Sequence, residues 1–352
     1  MKKLLLFLMV AFFASSCSQN STFTIKGTTN IVADSAYLLA NSNIVASAPI
    51  VNNQFEFTGS IDSITFASIL VQDAGTNFIL ESGQYKAFID ENEDHLVEGP
   101  KNQTIYNDVY SYNISKIDSL FVLYRQACES ENNNQLIQRY INEIIDQGEV
   151  RLNYMLNWCN DNADSPVAIV LICTALQADM SIDELKHFNS LISKKGSKFY
   201  MAKLLEKSIA DLEAVLPGHI APDFVLPTIN GDSIALSAVK AKVKVLDFWA
   251  SWCGPCRAAN PANIQIYNEL HSKGLEVIGI SGDKEFARWA DAVKQDNLPW
   301  INVCDFSGND AFAKYAISSI PTCFLLDENN VIIDCGLSIS DFSQTIEQML
   351  DK

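Results

Sequence analysis

Positive charge is in short supply. Lys and Arg number 25 against 42 Asp and Glu, a net charge of −17 over 352 residues. Nucleic-acid binding needs a basic footprint, so that class is excluded. The acidity favours solubility and repulsion from anionic surfaces, and with no strong acidic run it implies no acidic tail. Histidine is scarcer still, with 4 scattered copies, and no second close Cys or His pair accompanies the adjacent Cys253 and Cys256. A structural zinc site takes four protein ligands, so no metal is expected, and nothing calls for another cofactor. Internal repeats and low-complexity tracts are absent. The apolar run Leu4 to Phe13 is too short to span a bilayer, which takes about 20 residues. What is abundant is ordinary core material: 48% hydrophobic and 19% charged residues describe a packed globular protein. The length suits two or three domains.

The N-terminus has the form of an export signal. Lys2 and Lys3 precede the apolar run, and Ala14-Ser15-Ser16-Cys17 resembles the lipobox of bacterial lipoproteins. That resemblance implies a signal peptide over 1–16 and a lipidated Cys17 anchored in the bilayer. Ordinary cleavage is the alternative, since Ala14 and Ser16 also fit a small-x-small site. Ser18-Gln19-Asn20-Ser21 completes a tether, 17–21, without the acidic cluster that marks surface export in some lineages. A periplasm-facing envelope protein is expected. In that oxidising setting a structural disulfide between Cys128 and Cys159 is possible, although spacing does not assign it.

Residues 22–100 read as short strands. Phe23 and Ile25 alternate with polar neighbours, Asn52-Asn53 suggests a hairpin turn and Ser82-Gly83 another. The spacing suggests a small β-sandwich. Residues 101–214 change to a helical period, with Ile105, Val109, Tyr112, Leu120 and Tyr124 roughly on one stripe. Ser165-Pro166 has the form of an N-cap with a first-turn proline, and Ser181 with Glu184 that of a capping box. This region reads as scaffold. Val215-Leu216-Pro217-Gly218 reads as a linker. From there strand and helix alternate: Val243 to Ala250 is an apolar run as in a buried parallel strand, Leu275 to Ile280 a second, and a helix pattern follows Cys253.

The sharpest motif is Trp252-Cys253-Gly254-Pro255-Cys256, with a buried strand leading in and a helix leading out. That context makes a C-x-x-C a redox pair. Cys253 falls at the helix N-terminus, where free N–H groups and the helix dipole stabilise a thiolate. Pro255 fits the first turn, where its missing N–H costs nothing. Cys256 follows about one turn later, so its sulfur lies near that of Cys253.

The stretch from Leu246 through Asp247, Trp249 and Cys253 to Arg257 resembles the active site of thioredoxins. Pro261 resembles their helix-kinking proline, and Ser319-Ile320-Pro321-Thr322 their cis-proline loop. Ala221-Pro222-Asp223-Phe224 and Asn297-Leu298-Pro299-Trp300 resemble the extracytoplasmic TlpA/ResA-like, or AhpC/TSA-type, branch. The resemblance covers about 217–352 and implies an α/β thioredoxin fold there. The β-rich front end resembles a domain of unknown function fused to such modules in envelope lipoproteins. By resemblance Asp247 is the buried aspartate that accepts the Cys256 proton; a plain strand-end charge is the alternative. Pro321 is implied to be cis, bringing the Ile320 backbone beside the disulfide; a trans turn proline is the alternative. Trp252 is expected to shield the dithiol. Trp249 and Phe248 read as core or site-floor aromatics. The glutamate that many TlpA/ResA-like proteins carry three residues after the second Cys is Ala259 here, so that arrangement does not carry over.

The implied activity is thiol–disulfide exchange, Cys253 attacking and Cys256 resolving. The Gly-Pro dipeptide between them points to a reductant. Resemblance supplies a membrane thiol donor, and disulfide-containing exported proteins, apocytochrome c among them, as clients. A peroxidase is one rival, but Leu246 and Ala250 stand at the Pro and Thr positions of the peroxiredoxin P-x-x-x-T-x-x-C pattern. A binding lipoprotein with a merely regulatory redox module is the other.

Overall fold

A computed structural model of the chain describes residues 21–41, 43–91, 96–129, 134–308 and 310–351. The expected signal peptide, Cys17 and nearly all of the tether lie outside the described residues. Two compact units emerge: one runs to Gln177 and adds Ser190–Lys203, and the other combines Ala178–Asn189 with the chain from Leu204 onward. The second unit therefore takes in helical residues that the sequence pattern places ahead of residue 217.

The first unit opens with strands β1 (Ser21–Thr29), β2 (Ser35–Ala40), β3 (Asn43–Pro49), β4 (Gln54–Ile61), β5 (Thr65–Val71), β6 (Ala74–Leu80), β7 (Gly83–Ile89) and β8 (Leu96–Glu98). They form two four-stranded sheets, ordered β4-β1-β7-β8 and β3-β2-β5-β6. Period-two alternation gives each sheet one apolar face. Ile25, Phe57 and Tyr85 of one sheet share a core with Leu38, Ile69 and Phe78 of the other. This is the expected sandwich. The hairpin expected at Asn52-Asn53 is different in kind. Both asparagines adopt positive φ, 53° and 62°, and Val51 and Gln54 bond to each other across the turn. Pairing stops there, because from Gln54 onward β4 takes β1 as its partner. The turn is a corner between sheets.

Four helices follow: α1 (Lys101–Tyr110), α2 (Ile114–Glu129), α3 (Asn134–Asp161) and α4 (Pro166–Leu171). Buried Gln103 pins α1 to the sandwich: its Oε1 accepts Ile79 N–H at 2.7 Å and its Nε2 donates to Val97 O at 3.2 Å. The single stripe expected from Ile105 to Tyr124 is broken. Tyr112 sits in the turn between α1 and α2, where Asn113 takes φ 64°. Ser165 caps α4 as expected, accepting Val167 N–H at 3.2 Å. No bridge joins Cys128 and Cys159: the first is exposed, whereas the second is buried with its thiol toward Ala168 O at 3.8 Å. Helices α5 (Ile182–Leu191) and α6 (Tyr200–Ala214) run across the division points. The capping box before α5 is formed, with Glu184 N donating to Ser181 Oγ at 3.3 Å and Ser181 N to Glu184 Oε2 at 2.8 Å. No described helix is long and apolar enough to cross a membrane.

The second unit contains β9 (Val225–Pro227), β10 (Ser233–Ala235), β11 (Val243–Trp249), α7 (Gly254–Leu270), β12 (Leu275–Ser281), α8 (Phe286–Asp296), β13 (Ile301–Cys304), α9 (Ala311–Lys314), β14 (Thr322–Asp327), β15 (Ile332–Gly336) and α10 (Ser343–Leu350). Its five-stranded sheet runs β13-β12-β11-β14-β15. β11 is parallel to β12 and antiparallel to β14, the α/β thioredoxin arrangement. All seven residues of β11 are buried, as a central strand covered on both faces requires. Val243, Val245 and Trp249 face a core shared with α7, α8 and α10. Leu246 and Phe248 face a second core with Phe224 and Tyr315. Side chains such as Trp249, Trp289 and Phe248 contribute about 1.5–3 kcal/mol each on burial. Val215 to Gly218 is not a free linker. Val215 is buried, Gly218 N donates to Ile332 O at 2.7 Å, and Ile332 N to His219 O at 2.8 Å. Lys244, only 1% exposed, holds the β14–β15 turn from inside, donating to Asp327 O at 3.2 Å, Glu328 O at 2.9 Å and Asn330 Oδ1 at 2.8 Å. Burial lowers its pKa.

Candidate active site

β11 ends at Trp249 in mid-core, and the chain must turn sharply to reach α7. Gly282 N donates to Trp249 O at 2.9 Å and Cys253 N to Ala250 O at 3.0 Å, which closes the turn. Cys253 is the N-cap of α7, with extended φ and ψ of −80° and 95°. Its sulfur does what a capping oxygen does elsewhere, accepting Cys256 N–H at 3.2 Å. Cys253 and Cys256 are joined by a disulfide, with Cα atoms 5.3 Å apart. Both cysteines are 4% exposed. Gly254 and Pro255 between them face solvent. Trp252, expected as a shield, is itself 68% exposed. The pair belongs to the same buried apolar cluster as Trp249, Trp289 and Trp300, against which Ile320 packs. The Ile320–Pro321 bond is cis. Pro261 lies inside α7, and Ala259 offers no carboxylate.

Asp247 faces the same side of β11 as Val245 and Trp249, by alternation, and is 6% exposed. Burial pushes its carboxyl up from the usual 3.8 to about 6, and a hydrogen bond from the Cys323 thiol works in the opposite direction. That bond spans 3.4 Å between Cys323 Sγ and Asp247 Oδ1. The two residues are direct partners across β11 and β14.

The structure adds contacts around the pair that the sequence does not reveal. Asp283, 1% exposed, braces the turn before Cys253. Its carboxylate accepts Ser251 N–H at 2.9 Å, Ser251 O–H at 2.6 Å and Ser281 O–H at 2.6 Å. Arg257, one residue past the motif, forks onto Asp296 at 2.6 and 2.9 Å and reaches Ser251 O at 3.4 Å. Asn260 adds a bond to Asp296 at 2.9 Å. A bidentate pair of this kind fixes orientation as well as charge, so α7 is tied to α8 behind the cysteines. Among the described residues no group of His, Cys, Asp and Glu is placed to hold a metal ion. A sulfur at a helix N-terminus, a second sulfur one turn on and a buried carboxyl of raised pKa make an arrangement able to exchange disulfides.

Residues 217–334 match the AhpC/TSA family, and residues 21–106 match a domain of unknown function, DUF4369. Thiol-disulfide oxidoreductase ResA of Bacillus cereus is 30% identical over 131 residues, 37% of this chain and 75% of the relative. Thioredoxin-like protein YneN of Bacillus subtilis is 34% identical over 140 residues, 38% and 78% of the two chains. The crystal structure of the thioredoxin domain of a thiol-disulfide oxidoreductase from Bacteroides vulgatus superposes with a TM-score of 0.37 at 28% identity, covering 38% of this chain and 98% of that one.

Proposed function

From the premise that the chain belongs to the ResA-like thiol–disulfide oxidoreductases of the AhpC/TSA family, we propose that it works as an envelope reductant, anchored through acylated Cys17, with Cys253 and Cys256 as its working dithiol. The carrying observation is Cys253 at the cap of α7 with its sulfur already accepting a backbone N–H from Cys256. The same donor stabilises a Cys253 thiolate once the disulfide is reduced.

The Cys253 thiolate attacks one sulfur of a client disulfide. A mixed disulfide forms, and the client's other sulfur leaves as a thiolate. Cys256 then gives its proton to Asp247 and attacks Cys253 Sγ. The Cys253–Cys256 bond closes, and the client's remaining sulfur departs with its electron pair. Two electrons pass to the client, whose thiolates take protons from solvent. Asp247 suits this role because a carboxyl with a pKa of about 6 can take a proton at neutral pH and return it. Ile320 and Pro321 form the wall along which a client backbone lies. Gly254 and Pro255 leave the approach open, and Trp252 offers an exposed apolar contact to the arriving segment. A membrane thiol donor re-reduces the pair. Disulfide-containing exported proteins, cytochrome c precursors among them, are the clients.

The reduction potential of the pair tests the direction of flow. Tryptophan emission followed in dithiothreitol buffers is expected to give a value near thioredoxin's, about −270 mV. A value near about −120 mV would mean that the protein inserts disulfides, and the reductant reading would be abandoned.

A further inference from the structure

Cys323 takes no part in the exchange described above, yet its thiol touches the carboxyl on which the second half of that reaction turns. It is fully buried, lies two residues beyond Pro321, and belongs to the same apolar cluster as Cys253 and Cys256. Antiparallel register sets it directly opposite Asp247, and Sγ stands 3.4 Å from Oδ1. We propose that Cys323 is a positioning residue of the exchange reaction: its S–H donates to the Asp247 carboxylate, orients it in the core and keeps it in the ionised form that receives the Cys256 proton. The proposal rests on the reading of Asp247 as that proton acceptor.

The choice of side chain has a physical logic. An aspartate this deeply buried is driven toward its neutral form, which cannot accept a proton. A donor aimed at the carboxylate counters that drive. A hydroxyl or amide there would be a stronger donor and would hold the carboxylate ionised well below neutral pH. A thiol is a weak donor on a small apolar side chain, so it fits a buried strand and counters the drive only in part. Cys323 is itself poorly suited to attack the neighbouring disulfide, since burial and the Asp247 charge raise its pKa well above the usual 9.0. It stays an S–H donor while the other two sulfurs exchange. Other titratable groups surround the pair. At the start of α7 they are Cys253, its N-cap, and Cys256. The segment Ile339–Phe342 before α10 supplies Asp341, which acts on Cys323. On β12 the residue opposite Asp247 is Gly279, and the nearby Glu276 is engaged by Tyr267 Oη at 3.1 Å. Lys244 lies on the other face of β11 by alternation, bound to the β14–β15 turn.

The test uses the full chain in its reduced form with 13C-labelled aspartate carboxyls, and a parallel set with glutathione in mixed disulfide on Cys253. Asp247→Asn assigns the Asp247 resonance. The carboxyl midpoint is expected to follow the donor strength at position 323, highest in Cys323→Val, intermediate in the natural chain and lowest in Cys323→Ser. The Val variant should rise by about half to one pH unit, the size of a weak charge-assisted bond. The acid limb of mixed-disulfide resolution, read by stopped-flow tryptophan emission, should move with it, slowing Cys323→Val about three- to tenfold at pH values below the midpoint. Cys323→Ala supplies the donor-free case should Val overpack. A midpoint that stays put across Ser, Cys and Ala or Val overturns the proposal. So does a midpoint that moves while resolution does not, provided Asp247→Asn alters resolution. If Asp247→Asn itself leaves resolution unchanged, the proton-acceptor reading has failed and takes the catalytic meaning of Cys323 with it, even where the midpoints shift in the expected order.

Discussion

Replacing Asp247 with asparagine should make the protein more stable above pH 6 while it makes the enzyme slower. In the folded chain the carboxyl titrates at about 6 rather than 3.8, because burial penalises its charged form. The sign follows from proton linkage. A carboxyl whose folded pKa is raised binds its proton more tightly when folded. The stability this gives is fully present below about pH 4, declines as pH rises, and is gone above about pH 6. Two pH units at 1.36 kcal/mol each amount to about 3 kcal/mol. Asparagine does not titrate, so Asp247→Asn should match the natural chain near pH 4, apart from a constant offset. It should gain on it by about 3 kcal/mol by pH 8. The assay is urea unfolding of the oxidised protein at pH 4, 5, 6, 7 and 8. With the disulfide closed, Cys253 and Cys256 do not titrate. Four of the five tryptophans, Trp249, Trp252, Trp289 and Trp300, lie in the second unit, so tryptophan emission follows mainly the unit that contains the mutation. Parallel stability curves for the two proteins would refute the reasoning, because they would mean that Asp247 is as easily ionised in the fold as in the unfolded chain. A gain in stability coupled to slower resolution is the pattern expected where a fold holds a destabilising group for chemistry.

Asp283→Ala strips the acceptor from Ser251 N, Ser251 Oγ and Ser281 Oγ at once and should cost about 2–4 kcal/mol in urea unfolding, with slower client reduction from a loosened turn; a loss under about 0.5 kcal/mol would show that the turn does not depend on this brace. Gly279→Ala places a methyl 2.9 Å from Trp300 Nε1, 3.2 Å from Asn302 Oδ1 and 3.3 Å from Trp249 Nε1. It should destabilise by about 1–3 kcal/mol with a visible change in tryptophan emission, whereas an unchanged spectrum and midpoint would argue that the core there has room to give.

The cysteine pair and its setting are legible because each signal is local. A buried strand, two cysteines one turn apart and a proline in the first turn are all contained in Val243 to Cys256. The capping residues Ser165, Ser181 and Glu184 were legible for the same reason. What stayed hidden depends on register. Ser251 and Asp283 are 32 residues apart, and Asp247 and Cys323 are 76 apart. Each pair meets only once β11 has chosen its neighbours. The corner at Asn52-Asn53 shows the same limit. Two asparagines announce a turn, since they tolerate positive φ, but which sheet receives the next strand is decided by β1. Tyr112 failed as part of one stripe because a single left-handed Asn113 resets the phase between helices.

The position of β1 also governs the order in which the sandwich can assemble. It lies between β4 and β7, and its parallel pairing with β7 joins Phe23 to Gly83 and Thr29 to Ile89. In chain order β1 therefore waits for β7 before both of its edges are paired. Until then one edge of β1 is unpaired, and Phe23 and Ile25 have only half a core to enter. Pairing across so long an interval makes for slow folding and prolonged exposure of an adhesive edge.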